Sequence, residues 1–156
     1  MRHKVPPRGV FKSMKQQTAT FTQTLFPGIR YRDAREAIAW LEEAFGAEPH
    51  VVYDAPDGTV AHAELYVAGN LLMLGTSRDD DYPVRSPQEV NAVTAGIYVV
   101  LPDATAVDAL FARAEAAGAP ITHPPHDTDY GSHDFRALDL EGHPWTFGTY
   151  KPGAHS

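Results

Sequence analysis

No cysteine occurs in the 156 residues of this chain. That absence excludes disulfides, thiolate nucleophiles and cysteine-based zinc sites, and nothing implies an oxidising compartment; a reducing cytoplasm is the expectation. Long hydrophobic runs are missing too, since no apolar stretch approaches the ~18 residues that a membrane-spanning helix needs. The N-terminal region is basic without an apolar segment, so neither secretion nor membrane insertion is expected. Basic charge is scarce elsewhere. Of the 13 lysines and arginines, Arg2, Lys4, Arg8, Lys12 and Lys15 fall near the start, leaving eight against 20 acidic residues. So acidic a remainder lacks the basic face that phosphate binding requires, and nucleic acid is not an expected partner. Residues 1–20 read as a disordered basic leader, with Met14 as an alternative beginning of the protein. No glycine-rich phosphate cradle, nucleophile elbow or Ser/His/Asp order stands out.

What is present is an ordinary globular composition, 43% hydrophobic and 21% charged, and enough length for one well-buried domain. That domain is expected over residues 21–152, with a short tail at 153–156. Within it the chain echoes itself. The stretch Gly142-His143-Pro144-Trp145-Thr146-Phe147-Gly148-Thr149 matches Gly69-Asn70-Leu71-Leu72-Met73-Leu74-Gly75-Thr76 as a glycine turn and a strand closed by Gly-Thr. Upstream, Ala44-Phe45-Gly46-Ala47 matches Ala116-Ala117-Gly118-Ala119, Gly28-Ile29-Arg30-Tyr31 matches Gly96-Ile97-Tyr98-Val99, and His133 falls where His62 does. Such an internal period points to a duplicated unit.

Each half reads as β-α-β-β-β. In the first, about 24–76, an extended run from Thr24 to Tyr31 leads to Asp33, a helix cap, and to the stripe Ala34, Ile38, Leu41, Phe45 ending at Gly46. Strands follow over 48–54, 60–67 and 71–76, with Asp57-Gly58 as a hairpin signal. Residues 77–93 form a polar linker whose Asp79-Asp80-Asp81 run reads as solvated. In the second half, about 94–150, a strand at 96–101 precedes a helix after Asp103 with the stripe Val107, Leu110, Phe111, Ala114, then strands near 120–123, 132–139 and 144–150.

Alternation assigns faces. Ala61, Ala63, Leu65 and Val67 suit a helix, which leaves His62, Glu64 and Tyr66 opposite. Leu72 and Leu74 join the helix side, with Trp145 and Phe147 in the second half, whereas Thr146 takes the place of Met73. Phe26, Gly28, Arg30, Gly96 and Tyr98 fall on the helix-free side. Strand 132–139 mixes polar and apolar residues on both faces; Phe135 is placed inward.

The paired modules, the segment Tyr31-Arg32-Asp33-Ala34-Arg35-Glu36-Ala37-Ile38 leading to Ala44-Phe45-Gly46-Ala47-Glu48, and the ending Asp129-Tyr130-Gly131 … Asp139-Leu140-Glu141-Gly142-His143-Pro144-Trp145 together resemble the vicinal oxygen chelate superfamily. That group contains glyoxalase I, extradiol dioxygenases, fosfomycin-resistance enzymes and bleomycin-resistance proteins. Leu140 departs from it, standing where the family's turn usually has proline. The resemblance implies an α+β fold in which two tandem βαβββ modules form curled mixed sheets, with helices on the outer face and a shared cup inside. It also implies that the positions holding a divalent ion in the metal-dependent members are here about Phe26, Met73, Gly96 and Thr146, none of which is a ligand type. The expected branch is therefore the bleomycin-resistance-like one: a metal-free cup, no cofactor, and usually a homodimer.

Two functions follow. In the first, Phe26, Tyr66, Met73, Tyr98, Tyr130 and Thr146, with Arg30, His62 and Glu64 as polar contacts, sequester an aromatic or cationic small molecule; alternatively these aromatics bury one another at a dimer seam. In the second, His62 and Glu64, with His133, serve a metal or acid/base site of a lyase, isomerase or dioxygenase; alternatively they are a cross-strand polar pair. His123-Pro124-Pro125-His126 reads as a surface loop, Asp127, Asp129 and Tyr130 as a turn bordering the cup, and His143 as exposed.

Overall fold

The structure is a computed structural model that describes residues 22–154. The leader expected over residues 1–20 lies outside the described residues, as do the last two positions of the tail.

Strand β1 is short, Gly28–Tyr31, because Pro27 has no N–H to give to a ladder. The segment before it is tied down by a side chain instead: the Gln23 amide bonds both the N–H and the C=O of Leu71, at 2.8 and 2.9 Å. Helix α1, Ala34–Phe45, starts where the Asp33 carboxylate accepts the Glu36 N–H at 3.0 Å. It buries the expected stripe and stops at Gly46, whose φ of +66° is one that glycine adopts without penalty. Strands β2 (Glu48–Asp54), β3 (Val60–Val67) and β4 (Asn70–Thr76) complete the first module. The linker contains a one-turn helix that its composition does not announce, α2 (Pro87–Val90), held by a Ser86/Glu89 capping box. The second module is β5 (Ile97–Val100), α3 (Ala104–Ala116), β6 (Ile121–Asp127), β7 (His133–Leu138) and β8 (Pro144–Gly148).

The strands form two four-stranded sheets of the same order, β1-β4-β3-β2 and β5-β8-β7-β6, not closed on one another. The first strand of each module runs parallel to the last, and the remaining neighbours are antiparallel. This is the α+β arrangement of two tandem βαβββ modules. Helix α1 packs on the first sheet, α3 on the second, and the helices pack on each other.

The two modules share one core. Phe45, at the end of α1, lies 5.2 Å from the Trp145 ring and 4.9 Å from Phe147, and Trp40 meets it edge-on at 5.1 Å. Phe135 is fully buried and stacks on Phe147 at 5.1 Å. A buried polar strap joins the modules as well. Asp139 accepts the Tyr31 hydroxyl at 2.5 Å and the Trp145 indole N–H at 3.0 Å. Glu141 accepts the N–H groups of Arg32 and Asp33 and the Ser86 hydroxyl, at 2.6, 3.0 and 2.6 Å. Every lone pair so used spares the core an unpaired charge.

Three expectations are corrected. His123-Pro124-Pro125-His126 is part of β6 rather than a loop; β6 is an edge strand with register shifts on either side of His123, where missing N–H groups break no ladder. His143 is half-buried, its Nε2 2.8 Å from the Arg30 carbonyl and its ring edge-on to Tyr31. The acidic run is not simply solvated, because Asp80 forms a two-point ion pair with Arg30 at 2.8 and 2.9 Å. Among the described residues no helix is long and apolar enough to cross a membrane.

Candidate functional site

Since successive side chains of a strand point to opposite faces, the register fixes what each sheet presents away from its helix. On the first sheet Gly28, Met73, Glu64 and Val51 form one row across the four strands. On the second, Tyr98, Thr146 and Arg136 form the corresponding row. Met73 and Thr146 thus occupy equivalent positions, as the Gly-Thr landmarks predict, whereas Gly28 corresponds to Tyr98 and not, as the sequence match has it, to Gly96.

Around Met73 the first sheet gathers Arg30, His62, Glu64 and Tyr66. His62 Nε2 lies 3.1 Å from Glu64 Oε1, and the Tyr53 ring lies nearly parallel to the imidazole at 6.3 Å. Tyr66 stands edge-on to His50. Arg30 is not free to meet a ligand as a bare charge. It holds Asp80 and the Tyr82 carbonyl, and its guanidinium lies 4.9 Å over the Tyr82 ring. That pairing raises the Arg30 pKa, chiefly through the Asp80 hydrogen bond, and lowers the Asp80 carboxyl to about 2, chiefly through Arg30. Tyr82 was hidden in the linker, yet it walls a cavity of about 200 Å³ together with Gly28, Arg30, His62 and Met73. Gly28 leaves the room: a Cβ there would stand 3.2 Å from the Tyr82 hydroxyl oxygen. Phe26 lies just ahead of β1 and is half-buried.

The second sheet presents a different chemistry. Glu64 pairs with Met73 but Arg136 pairs with Thr146, so Asp134, two residues before Arg136, holds the place that His62 holds before Glu64. The expected equivalence of His133 and His62 fails because the connecting turns differ. Two residues, Ala68 and Gly69, separate β3 from β4, whereas 139–143 separate β7 from β8, and a one-residue slip moves a side chain to the other face. His133 points to α3, its two ring nitrogens each 2.7 Å from a carboxylate, Asp108 and Asp127. These bonds, Asp108 first, raise its pKa. The triad of two histidines and a carboxylate is therefore not assembled.

Asp134 is fully buried, hydrogen-bonded by Ser132 Oγ and, at 3.3 Å, by the Tyr130 hydroxyl. Tyr98 reaches over the same spot, donating to the Tyr150 carbonyl at 3.0 Å, and burial is the main cause of its raised pKa. Sequence reasoning missed Asp134 because both parities of its strand mix polar and apolar residues. Between the modules, Leu25, Pro27 and Gly28 face Gly96, Ile97 and Tyr98 across a groove of about 650 Å³.

At the positions that the resemblance implies for a metal, Phe26, Met73, Gly96 and Thr146 offer neither carboxylate nor imidazole, so the side chains present there do not fit a divalent ion. Among the described residues no group of three or more His, Asp or Glu side chains is placed to hold a metal elsewhere.

With this architecture in view, the model of the glyoxalase/bleomycin resistance protein/dioxygenase superfamily matches residues 20–147, and the chain belongs to that superfamily. An uncharacterised protein of Mycobacterium tuberculosis strain H37Rv is 31% identical over 130 residues, covering 80% of this chain and 72% of its own. Among solved structures, TioX from Micromonospora sp. ML1 is similar with TM-score 0.64 and 28% identity, over 85% of this chain and 100% of that one. A lactoylglutathione lyase from Agrobacterium tumefaciens shares the fold at TM-score 0.58 and 22% identity, over 81% of this chain and 92% of that one.

Proposed function

We propose that this protein binds a small organic molecule of aromatic or cationic character on its helix-free sheet faces, without a metal, and does so as a homodimer. The observation that carries the reading is the pair of equivalent positions Met73 and Thr146, neither of them a metal-ligand type, with Tyr66, Tyr82 and Tyr98 as aromatic neighbours and Glu64 as the nearby carboxylate. Aromatic walls with nearby carboxylates favour flat and positively charged ligands. The exposure of Val52 and Tyr53 on β2, and of Tyr98 and Tyr130 on the second module, supports the homodimer, since a second copy would cover large apolar side chains otherwise left in water.

The test is a thermal-shift screen of aromatic amines, polycyclic antibiotics and divalent cations with the purified protein. An organic compound at about 100 times its Kd should stabilise the fold by ~2.7 kcal/mol, unchanged by chelator. A second reading rests on the 3.1 Å His62–Glu64 pair as an acid/base couple or part of a relocated metal site. Stoichiometric metal by plasma mass spectrometry, lost in His62→Ala and Glu64→Ala, would replace the first reading with it. Light scattering returning a monomer at micromolar concentration would remove the dimer from the proposal.

A further inference from the structure

Among the described residues, Asp134 is the one acid on the helix-free faces whose carboxylate is wholly removed from water. Burying a carboxylate costs several kcal/mol unless charge or strong donors replace the lost hydration. Here the donors are neutral: the Ser132 hydroxyl, itself buried, and the Tyr130 hydroxyl at 3.3 Å. Among the described residues no lysine, arginine or histidine lies within ion-pair distance of it. The site is built around this group. A Cβ on Gly148 would collide with the Asp134 carboxylate and stand 2.7 Å from the Tyr98 hydroxyl oxygen, so only glycine at that point lets both lie over β8.

Tyr130 is the exposed residue whose hydroxyl reaches Asp134. It is 57% exposed, sits in the turn between Thr128 and Ser132, and rests edge-on against Tyr150 at 5.7 Å. A long hydroxyl contact from an exposed ring on a turn is easily exchanged for a stronger donor. A carboxylate with the hydroxyl oxygens of Tyr98 and Tyr130 beside it offers acceptors that suit an ammonium group. Arg136, exposed and two residues further along β7 opposite Thr146, sets the other end of the site. It disfavours a second positive charge there.

We infer that Asp134, under Tyr130 and beside Tyr98, is the anchor for the amine of a monocationic ligand with an aromatic or apolar body. The inference rests on the proposed small-molecule binding and adds the anchoring residue and the ligand class. The ligand's ammonium would displace the Tyr130 hydroxyl from the carboxylate while Ser132 keeps its own bond.

The experiment titrates isotope-labelled full-length protein with phenethylammonium chloride and, separately, with 2-phenylethanol, following backbone amide shifts. The amine should perturb residues 130–134 and bind at least about tenfold tighter than the alcohol. Asp134→Asn should remove that preference, bringing the amine's affinity to within about twofold of the alcohol's for the same variant. Tyr130→Phe, which keeps the ring and frees the carboxylate, should tighten amine binding by roughly two- to fivefold; it carries the test if Asp134→Asn does not fold. Equal affinities for the two probes, a preference that survives Asp134→Asn, or an amine that binds Tyr130→Phe no tighter would overturn the inference. If the alcohol binds as well as the amine, the proposed binding function stands and the anchor falls. If neither binds, both fall.

Discussion

Ala68 pays a backbone cost that its neighbour Gly69 avoids. Both have positive φ, +47° and +78°, as a two-residue hairpin turn of the right twist demands. An L-residue in that region is disfavoured by about 1–2 kcal/mol. Ala68→Gly should therefore stabilise the protein, by about 0.5–1 kcal/mol after the extra chain entropy of glycine, read as a higher urea midpoint at unchanged slope. His133 carries a different residue-level consequence. Its folded pKa is raised by Asp108 and Asp127, so its contribution is complete below the unfolded value of about 6.5 and is lost as pH rises through the folded value. The pair bonds are half in water, which limits the effect to at most about 1 kcal/mol. Wild type should lose stability relative to His133→Gln as the pH rises above about 6.5, and identical pH profiles would remove the assignment.

At the level of elements, helices were the most legible part of the chain. Asp33 and Asp103 cap α1 and α3 through the N–H groups of Glu36 and Ala106, and the apolar stripes fall inward, because caps and 3.6-residue spacing are local signals. What sequence did not show is contact-dependent. Helix α2 is anchored by Ser86 reaching Glu141, 55 positions away in the chain, and β6 survives two prolines only because it is an edge. The end of α1 depends on a distant residue in the same way. Arg113 of α3 donates to the carbonyls of Glu43 and Glu42, both at 2.7 Å, which satisfies acceptors that a helix end leaves open. Arg113→Ala should cost about 1 kcal/mol and speed amide exchange in the last turn of α1; unchanged exchange there would mean water serves equally well.

The whole molecule should unfold as one unit, since Phe45 of the first module packs on Trp145 and Phe147 of the second. The two tryptophans report on this directly, Trp40 lying in α1 and Trp145 in β8. Single-tryptophan variants, Trp40→Phe and Trp145→Phe, should give coincident denaturant transitions by fluorescence, and two separated transitions would show that the modules fold apart. Phe45→Ala should cost about 3–5 kcal/mol, a large part of the ~5–15 kcal/mol such a domain has. The candidate site was half legible. The row through Met73 and Thr146 followed from alternation and the Gly-Thr landmarks, but Tyr82 came from the linker and Asp134 from a register that spacing alone misread. With five residues where the first module has two, one inserted stretch at the rim exchanges which half of a strand's alphabet is shown to a guest, so twin modules can diverge from imidazole to carboxylate without any replacement along the strand itself.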